Sequence, residues 1–205
     1  MGRRMHHSAH YRASSGRLND RRVGLLRGAA YWPVFVLVCL CLFPLILVAQ
    51  AKDEQAVKAA FVFNLTKYVE WPAGAAGNEI VIGFTGEGSM GVVLKQVLSG
   101  KTAGARTVRV IVEPAKEELP RCNILYISQS SPQKVRAVLE RIAHSSVLTV
   151  GDTASFAQLG GAVALVTTGA HVQIQINPAA VEAAQIKISS RLLSLATLVS
   201  QTAAR

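Results

Sequence analysis

The sequence predicts an α/β domain with a single mixed sheet of about six strands, helices on both faces and an antiparallel hairpin near its C-terminal end. Short apolar runs alternate with amphipathic segments over most of the region after residue 51, which favours parallel strand pairing. The alternation then gives way to two strand-like segments joined by a tight turn, which favours an antiparallel end. Half of the 205 residues are apolar, enough for a sizeable core in one domain.

Residues 1–51 are predicted to be a signal peptide that precedes the fold. Seven arginines lead into Val34–Val48, an apolar run of 15 residues, and Ala49-Gln50-Ala51 has the small-x-small pattern of a cleavage site. The alternative is an uncleaved membrane anchor over Tyr31–Ala49, whose 19 residues are long enough to cross a bilayer. Cleavage would leave residues 52–205 as the exported domain.

The formal charge of +10 does not indicate a nucleic-acid-binding protein. Much of the positive excess lies in the predicted leader, and lysines and arginines are scattered without a basic run in residues 52–205. His6, His7 and His10 belong to the leader and would be lost with it. Cys122 is the only cysteine after residue 51, so an intrachain disulfide is excluded there, and we expect a small buried side chain.

Ala56–Pro72 is predicted to be the first helix of the domain, ended by its proline. Its apolar face is expected to comprise Val57, Ala60, Phe61, Leu65, Tyr68 and Trp71, with Val62 and Val69 at the edge and Asn64 as a satisfied buried amide. Phe63 lies on the opposite side with Lys67 and Glu70. We therefore predict a partner or dimer surface at Phe63, Lys67, Glu70 and Trp71. The alternatives are core packing for Trp71 and cover by another segment of the same chain for Phe63.

The same local signals predict the later elements. Strands are expected at Glu79–Thr85, Thr107–Val112, Cys122–Ser128, Val147–Val150, Ala162–Thr167 and His171–Ile176. Helices are expected at Met90–Leu98, from Pro132 to about His144, at Thr153–Leu159, from Pro178, and from Ser189 or Ser190 with Leu192, Leu195, Ala196 and Val199 on one face. Ser131 and Asn177 each stand before a proline, which is a strong signal for a helix start.

The loop from Gly86 to Gly91 matches the G-x-G-x-x-G pattern of a dinucleotide site. It follows a strand and opens a helix, and Glu113 ends the next strand where a ribose-binding acid belongs. However, a long helix precedes that strand, and dinucleotides are scarce in an exported compartment, so no cofactor is predicted. The alternative is an anion held by the exposed amides of this loop, at Gly86, Gly88, Ser89 and Gly91.

No catalytic or metal-binding motif is found in residues 52–205. Ser89 lacks the glycine two places before it that a nucleophile elbow needs. His144 and His171 are isolated from each other and from the single cysteine, so a zinc site has no support. We therefore predict a protein that is not an enzyme and binds no metal.

The chain resembles the YfiR family of small periplasmic proteins. The residues that carry the resemblance are Lys58-Ala59-Ala60-Phe61, Asn64, Tyr68, Trp71-Pro72, Ile82-Gly83, Cys122, Val150-Gly151-Asp152, Phe156, Gly160-Gly161, Ile176-Asn177 and Ser189-Ser190-x-Leu192-Leu193-x-Leu195-Ala196. They extend over essentially all of residues 52–205. The resemblance implies an exported α/β domain, in agreement with the reading of the residues.

The resemblance also implies a regulatory function. The best-understood members bind the periplasmic sensor domain of an inner-membrane diguanylate cyclase and repress cyclic-di-GMP synthesis, and related domains occur beside other sensors. An OmpA-like outer-membrane lipoprotein relieves this repression by sequestering the repressor, which behaves as a homodimer. With Cys122 alone, this chain cannot form the intrachain bridges through which redox state affects those members. The alternative, from a different class, is a periplasmic small-ligand or anion-binding module.

Overall fold

The structure, a computed structural model, describes residues 54–75, 77–169 and 171–200. The predicted leader, its cleavage site and its histidines lie outside these residues. Within the described ranges, no helix is long and apolar enough to span a bilayer.

The helices follow most of the predicted boundaries. In the described part of the chain they are α1 (54–68), α2 (Met90–Leu98), α3 (Pro132–Arg141), α4 (Pro178–Ala183) and α5 (Ser190–Leu193), with short 3-10 turns at Ala73–Ala75 and Leu119–Arg121. The prediction of a helix at Thr153–Leu159 is wrong, because this segment is a series of turns. Asn177 caps α4 by accepting a hydrogen bond from the amide of Ala180, so that predicted helix start is confirmed.

The strands include every one that was predicted and several short ones that were not. They are β1 (Val69–Glu70), β2 (Glu79–Gly86), β3 (Thr102–Ala103), β4 (Arg106–Val112), β5 (Ile124–Ser128), β6 (Leu148–Gly151), β7 (Val163–Thr168), β8 (His171–Ile176), β9 (Lys187–Ile188) and β10 (Thr197–Leu198). The main sheet has eight strands in the order β10-β8-β7-β6-β5-β2-β4-β3, and β1 pairs with β9 separately. The predicted fold class is confirmed, but six strands was too few. Strands of two residues have no periodicity, and only their pairing defines them.

The central five strands are parallel and doubly wound. In sequence order, β2, β4, β5, β6 and β7 lie across the sheet as 2-1-3-4-5, and the antiparallel β7–β8 hairpin follows as predicted. The direction of winding therefore reverses between β2 and β5. In sheets of this kind, a crevice opens beyond the carboxyl ends of the strands at that switch point.

Apolar side chains on the two faces of the sheet form two cores. The first packs α1 and α2 against residues such as Ile82, Phe84 and Tyr126. The second packs Val135 of α3 and Phe156 against Leu125 and other residues of the opposite face. Helices consequently lie on both faces, as the sequence predicted.

The buried face of α1 differs from the predicted one. Its buried residues are Lys58, Ala59, Val62, Leu65 and Thr66, whereas Val57 is 45% exposed and Ala60 and Asn64 are exposed. The helix ends at residue 68 because β1 then pairs with β9 and the amide of Ser189 donates to the Tyr68 carbonyl. Residues 69–71 therefore do not continue the helical wheel. Without these residues, the buried apolar side chains of the helix recur every three residues, at Ala59, Val62 and Leu65.

The last predicted helix is shorter than expected. Ser189 caps it by accepting from the amide of Leu192, but the helix ends at Leu193. The chain then becomes β10, and the Val199 amide donates to the Ile176 carbonyl at 2.8 Å. Leu195, predicted on the apolar face, is 73% exposed because the sheet edge captures the residues after it.

Candidate functional site

A crevice of about 270 Å³ lies at the switch point of the sheet. It is lined by the first turn of α1, the loop after β2, the start of α2, the last residue of β5 and the residue after β6. The side chains that determine its chemistry are Glu54, Lys58, Glu87, Ser89, Ser128 and Asp152. A larger groove of about 490 Å³ beside α3 and α4 has Arg136 and Glu140 as its charged residues.

The glycine-rich loop is held by its own chain. The Gly86 amide donates to Glu113 Oε1 at 2.8 Å, and the Glu87 amide donates to the Ser128 carbonyl at 2.7 Å. The Glu113 carboxylate therefore occupies a loop amide that a bound anion would otherwise use. Gly91 packs so closely on Phe84 that an added Cβ would lie 2.6 Å from the ring. The spacing of these glycines therefore has an explanation in packing, and two of the loop amides are not free for an anion.

Two internal ion pairs neutralise part of the charge in the crevice. Lys58 Nζ lies 2.7 Å from Glu54 Oε1, and Lys134 Nζ lies 3.2 Å from Glu87 Oε1. The hydrogen bond from each lysine lowers the pKa of its carboxyl partner. Asp152 accepts a hydrogen bond from Ser128 Oγ at 3.2 Å but has no cationic partner among the described residues.

Tyr126 lies in the middle of β5, close to the Asp152 side chain. Its side chain is fully buried, and its ring stacks on Phe84 with centroids 6.0 Å apart. The nearest polar partner of the hydroxyl is the Asp152 carboxylate, at a geometry just outside that of a strict hydrogen bond. Burial raises the pKa of Tyr126, and the nearby carboxylates of Asp152 and Glu54 raise it further. The sequence analysis did not single out Tyr126, because it stands in an apolar strand and nothing local predicts that carboxylates lie near its hydroxyl.

The predicted partner-surface residues divide between surface and core. Phe63 is half-buried, and its ring is covered by Lys67 Nζ at 5.1 Å and Lys101 Nζ at 5.3 Å. Lys67 and Glu70 are exposed. Trp71 is buried, and its Nε1 donates to the Asn123 carbonyl at 3.0 Å, so its ring contributes to the core. Lys101 was missed because it is distant from α1 in sequence.

Asn123 is a structural residue that the sequence did not reveal. Its Oδ1 accepts from the Val81 amide at 2.8 Å, and its Nδ2 donates to the Ala75 carbonyl at 2.9 Å. Together with the bond from Trp71, these contacts join the segment after α1 to β2 and β5. Buried amides of this kind stabilise a fold because every polar group is satisfied.

Cys122 is buried at the start of the β5 segment, although the strand itself begins at Ile124 and not at Cys122 as predicted. Burial, followed by the charge of Glu118, raises the pKa of the thiol to about 11. The thiol is therefore neutral at ordinary pH.

We expect iodoacetamide to alkylate Cys122 at pH 8 about a hundredfold more slowly in the native protein than in urea, because the thiolate is the nucleophile. The native pKa lies above the unfolded value, so the native rate should keep rising with pH beyond 9 and level off only above pH 11. Mass spectrometry of the peptide that contains Cys122 separates this reaction from others. Equal native and unfolded rates would contradict the prediction.

Comparison with known proteins relates this fold to one family. The model of the YfiR/HmsC-like family matches residues 55–197, which extend from α1 to the start of β10. No curated protein matches the chain.

Two solved structures are similar to part of the chain. One is described as an ABC domain in complex with L-Trp from Streptococcus pneumonia, with 11% identity over 60% of this chain and a TM-score of 0.42. The other is a conserved domain protein from Vibrio cholerae O1 biovar eltor, with 12% identity over 58% of this chain and a TM-score of 0.44. The matches cover 56% and 54% of those chains, a little over half of each. The family model matches most of the length of this chain and almost all of its described fold, and the chain therefore belongs to the YfiR/HmsC-like family.

Proposed function

We propose that this protein is a periplasmic regulator that binds the sensor domain of an inner-membrane diguanylate cyclase and lowers its cyclic-di-GMP output. The observation that carries the proposal is the family match over residues 55–197. A regulator of this kind acts by binding the inactive arrangement of the sensor more tightly than the active one. The largest degree of repression is then set by the ratio of its affinities for the inactive and the active arrangement of the sensor. The same match supports a non-catalytic protein that is exported through its N-terminal segment.

The outer side of α1 is the best candidate for the sensor-binding surface. There Phe63, Lys67, Glu70 and Lys101 form what we call the α1 patch, in which two lysines lie over a half-buried aromatic ring. Aromatic rings flanked by charged residues are typical interface anchors. Since lysines outnumber the single glutamate, the complementary surface on the sensor should be acidic.

Two further associations belong to this proposal. An OmpA-like outer-membrane lipoprotein would compete for the regulator and release the cyclase, and the regulator itself would be a homodimer. Exposed apolar side chains that a homodimer could cover include Leu195 and Leu198. Because Cys122 is buried and neutral, redox control through this thiol is not part of the proposal.

We expect deletion of the gene to raise cellular cyclic-di-GMP, and the wild-type gene to restore the lower level. A Lys67→Glu, Lys101→Glu double variant should fail to restore it, because charge reversal places like charges opposite an acidic partner and weakens binding by about tenfold or more. The measurements are cyclic-di-GMP by mass spectrometry and co-purification of a membrane cyclase with the tagged regulator.

Lys116→Glu is the matched control, since Lys116 is an exposed lysine in the connector before β5. It should restore repression as the wild type does. Unchanged cyclic-di-GMP in the deletion strain would refute the regulatory function. Full repression by the α1 double variant would instead place the binding surface elsewhere.

A further inference from the structure

Arg106, the first residue of β4, has no counter-charge in the part of the chain that the structure describes. Its guanidinium lies over the Trp71 ring, 5.7 Å from the centroid. Its Nη1 is buried and has no hydrogen-bond partner among the described residues. The residue as a whole is only partly buried, so a second molecule can approach it. Charges taken out of water are normally paired, and the missing partner of this guanidinium is therefore a carboxylate from elsewhere.

Two acids of neighbouring strands are already placed against other cations. A carboxyl oxygen of Glu79, in β2, lies 2.9 Å from Nε of Arg109. Glu70 stands directly opposite Lys187 in the β1–β9 pair. Arg109 is three residues after Arg106 and so points to the other face of β4. Of these two arginines in one strand, one has a carboxylate partner within the described fold and the other has none.

Arg106 adjoins the α1 patch on the same side of the sheet. It lies two residues before Val108, whose amide donates to the Lys101 carbonyl across the antiparallel β3–β4 ladder. Lys101 is thus the diagonal neighbour of Arg106, with Cβ atoms about 7–8 Å apart. Lys101 and Lys67 both lie over the Phe63 ring. Three cations are therefore gathered on two aromatic rings, and none of them has an ion pair within the described ranges.

We propose that the sensor domain contributes an acidic side chain to this surface and that its carboxylate pairs with Arg106, beside the α1 patch. A guanidinium and a carboxylate match in geometry, and the pair can form two parallel hydrogen bonds. The Trp71 ring holds the guanidinium in place before the partner binds, so less conformational entropy is lost on binding. This inference rests on the proposed function, and it names the chemical group that the partner must supply.

Substitutions at two arginines of the same strand test the pair. Arg106→Gln removes the charge, should weaken the complex by about tenfold or more, and should repress the cyclase less than the wild type does in the deletion strain. Arg106→Lys should repress better than Arg106→Gln, since it restores the charge without the planar fork. Arg109→Gln is the control and should repress as the wild type does, because that guanidinium already has Glu79.

Salt dependence separates an ion pair from a structural effect. The tagged regulator is purified from membranes at increasing salt concentration, and the cyclase that co-purifies with it is measured. The wild-type complex should weaken more steeply with salt than the Arg106→Gln complex, because salt screens the pair that the variant lacks. Thermal melting should show that Arg106→Gln folds normally, since the side chain has no ion pair in the described fold to lose.

Carbodiimide cross-linking locates the carboxylate on the partner. The reagent forms an amide bond between an amine and a carboxylate that are in direct contact, and mass spectrometry of the joined peptides identifies both residues. With membranes that contain the cyclase, Arg106→Lys should give a cross-link from position 106 to an aspartate or glutamate of the sensor domain. Arg109→Lys, treated in the same way, should give no cross-link to that domain.

Two results would overturn this inference alone. They are full repression by Arg106→Gln in a strain where loss of the regulator raises cyclic-di-GMP, and an equally strong cross-link to the sensor domain from Arg109→Lys. In both cases the regulatory function would stand, and the carboxylate would be excluded from Arg106. Unchanged cyclic-di-GMP in the deletion strain would instead remove the regulatory function and this inference with it.

Discussion

Replacing Gly86 by alanine is expected to lower the free energy of unfolding by about 4 kcal/mol. Gly86 has a φ angle of 135°, which residues with a side chain rarely adopt. A Cβ at this position would lie 2.0 Å from the Ser128 carbonyl oxygen. The obstacle is backbone of the neighbouring strand β5, which cannot move aside as a flexible side chain can. Urea unfolding followed by circular dichroism measures the loss.

Gly88→Ala is the matched control in the same loop. Gly88 also has a positive φ, 88°, but no atom lies within 4 Å of the position of a Cβ. Its substitution should therefore cost about 1 kcal/mol, from the backbone conformation alone. If the free energy of unfolding fell by the same small amount in both variants, β2 would not approach β5 closely at Gly86. The difference would show that the first glycine of the loop serves strand packing, with no dinucleotide needed to explain it.

Phe156→Ala is expected to lower the free energy of unfolding by about 3–5 kcal/mol. The side chain is 1% exposed and lies against two glycines, such that a Cβ at Gly151 or Gly161 would fall 2.3 Å or 2.1 Å from its ring. Those glycines allow the ring to touch the backbone of β6 and of the turn before β7. These two glycines have no side chain that could fill the cavity that alanine would leave. Equilibrium unfolding in urea measures the change.

A double-mutant cycle with Gly161→Ala tests the same contact. In the wild-type protein, the new methyl group meets the ring and should destabilise by about 1–3 kcal/mol. In the Phe156→Ala protein the space is empty, so the same change should be nearly neutral or stabilising. The resulting coupling energy of about 1–3 kcal/mol is the signature of direct contact. Additive effects would show that the ring does not lie on Gly161.

Features that depend on neighbours within one or two turns were predictable from the sequence. Met90–Leu98 and His171–Ile176 have the predicted bounds. Asn177-Pro178 starts a helix because the amide oxygen of Asn177 reaches an amide three residues later. The alternation of strands and helices also predicted the parallel sheet. Two parallel strands must be joined by a crossover connection, and a helix commonly forms that connection.

Features that depend on distant partners were not predictable. The end of α1 at residue 68 and the identity of its buried face depend on β9, which lies more than a hundred residues later in the chain. Phe63 looked unpartnered on the wheel because Lys101, which covers it, belongs to the turn after α2. β10 likewise exists because β8 offers an open edge.

The candidate site shows the same division. The sequence by itself determined an α/β domain with a glycine-rich loop after its first long strand, since periodicity, turn residues and motif spacing are local, and its residues also carried the resemblance to the YfiR family. Only the tertiary structure decided that Glu113 and Ser128 occupy the amides of this loop. It also decided that Tyr126, in a strand that the sequence predicts as uniform core, has a buried hydroxyl close to the Asp152 carboxylate, which accepts a hydrogen bond from Ser128 Oγ. Hydrogen bonds and charge pairs between strands depend on which chain ends the fold brings together, and no local pattern contains that information.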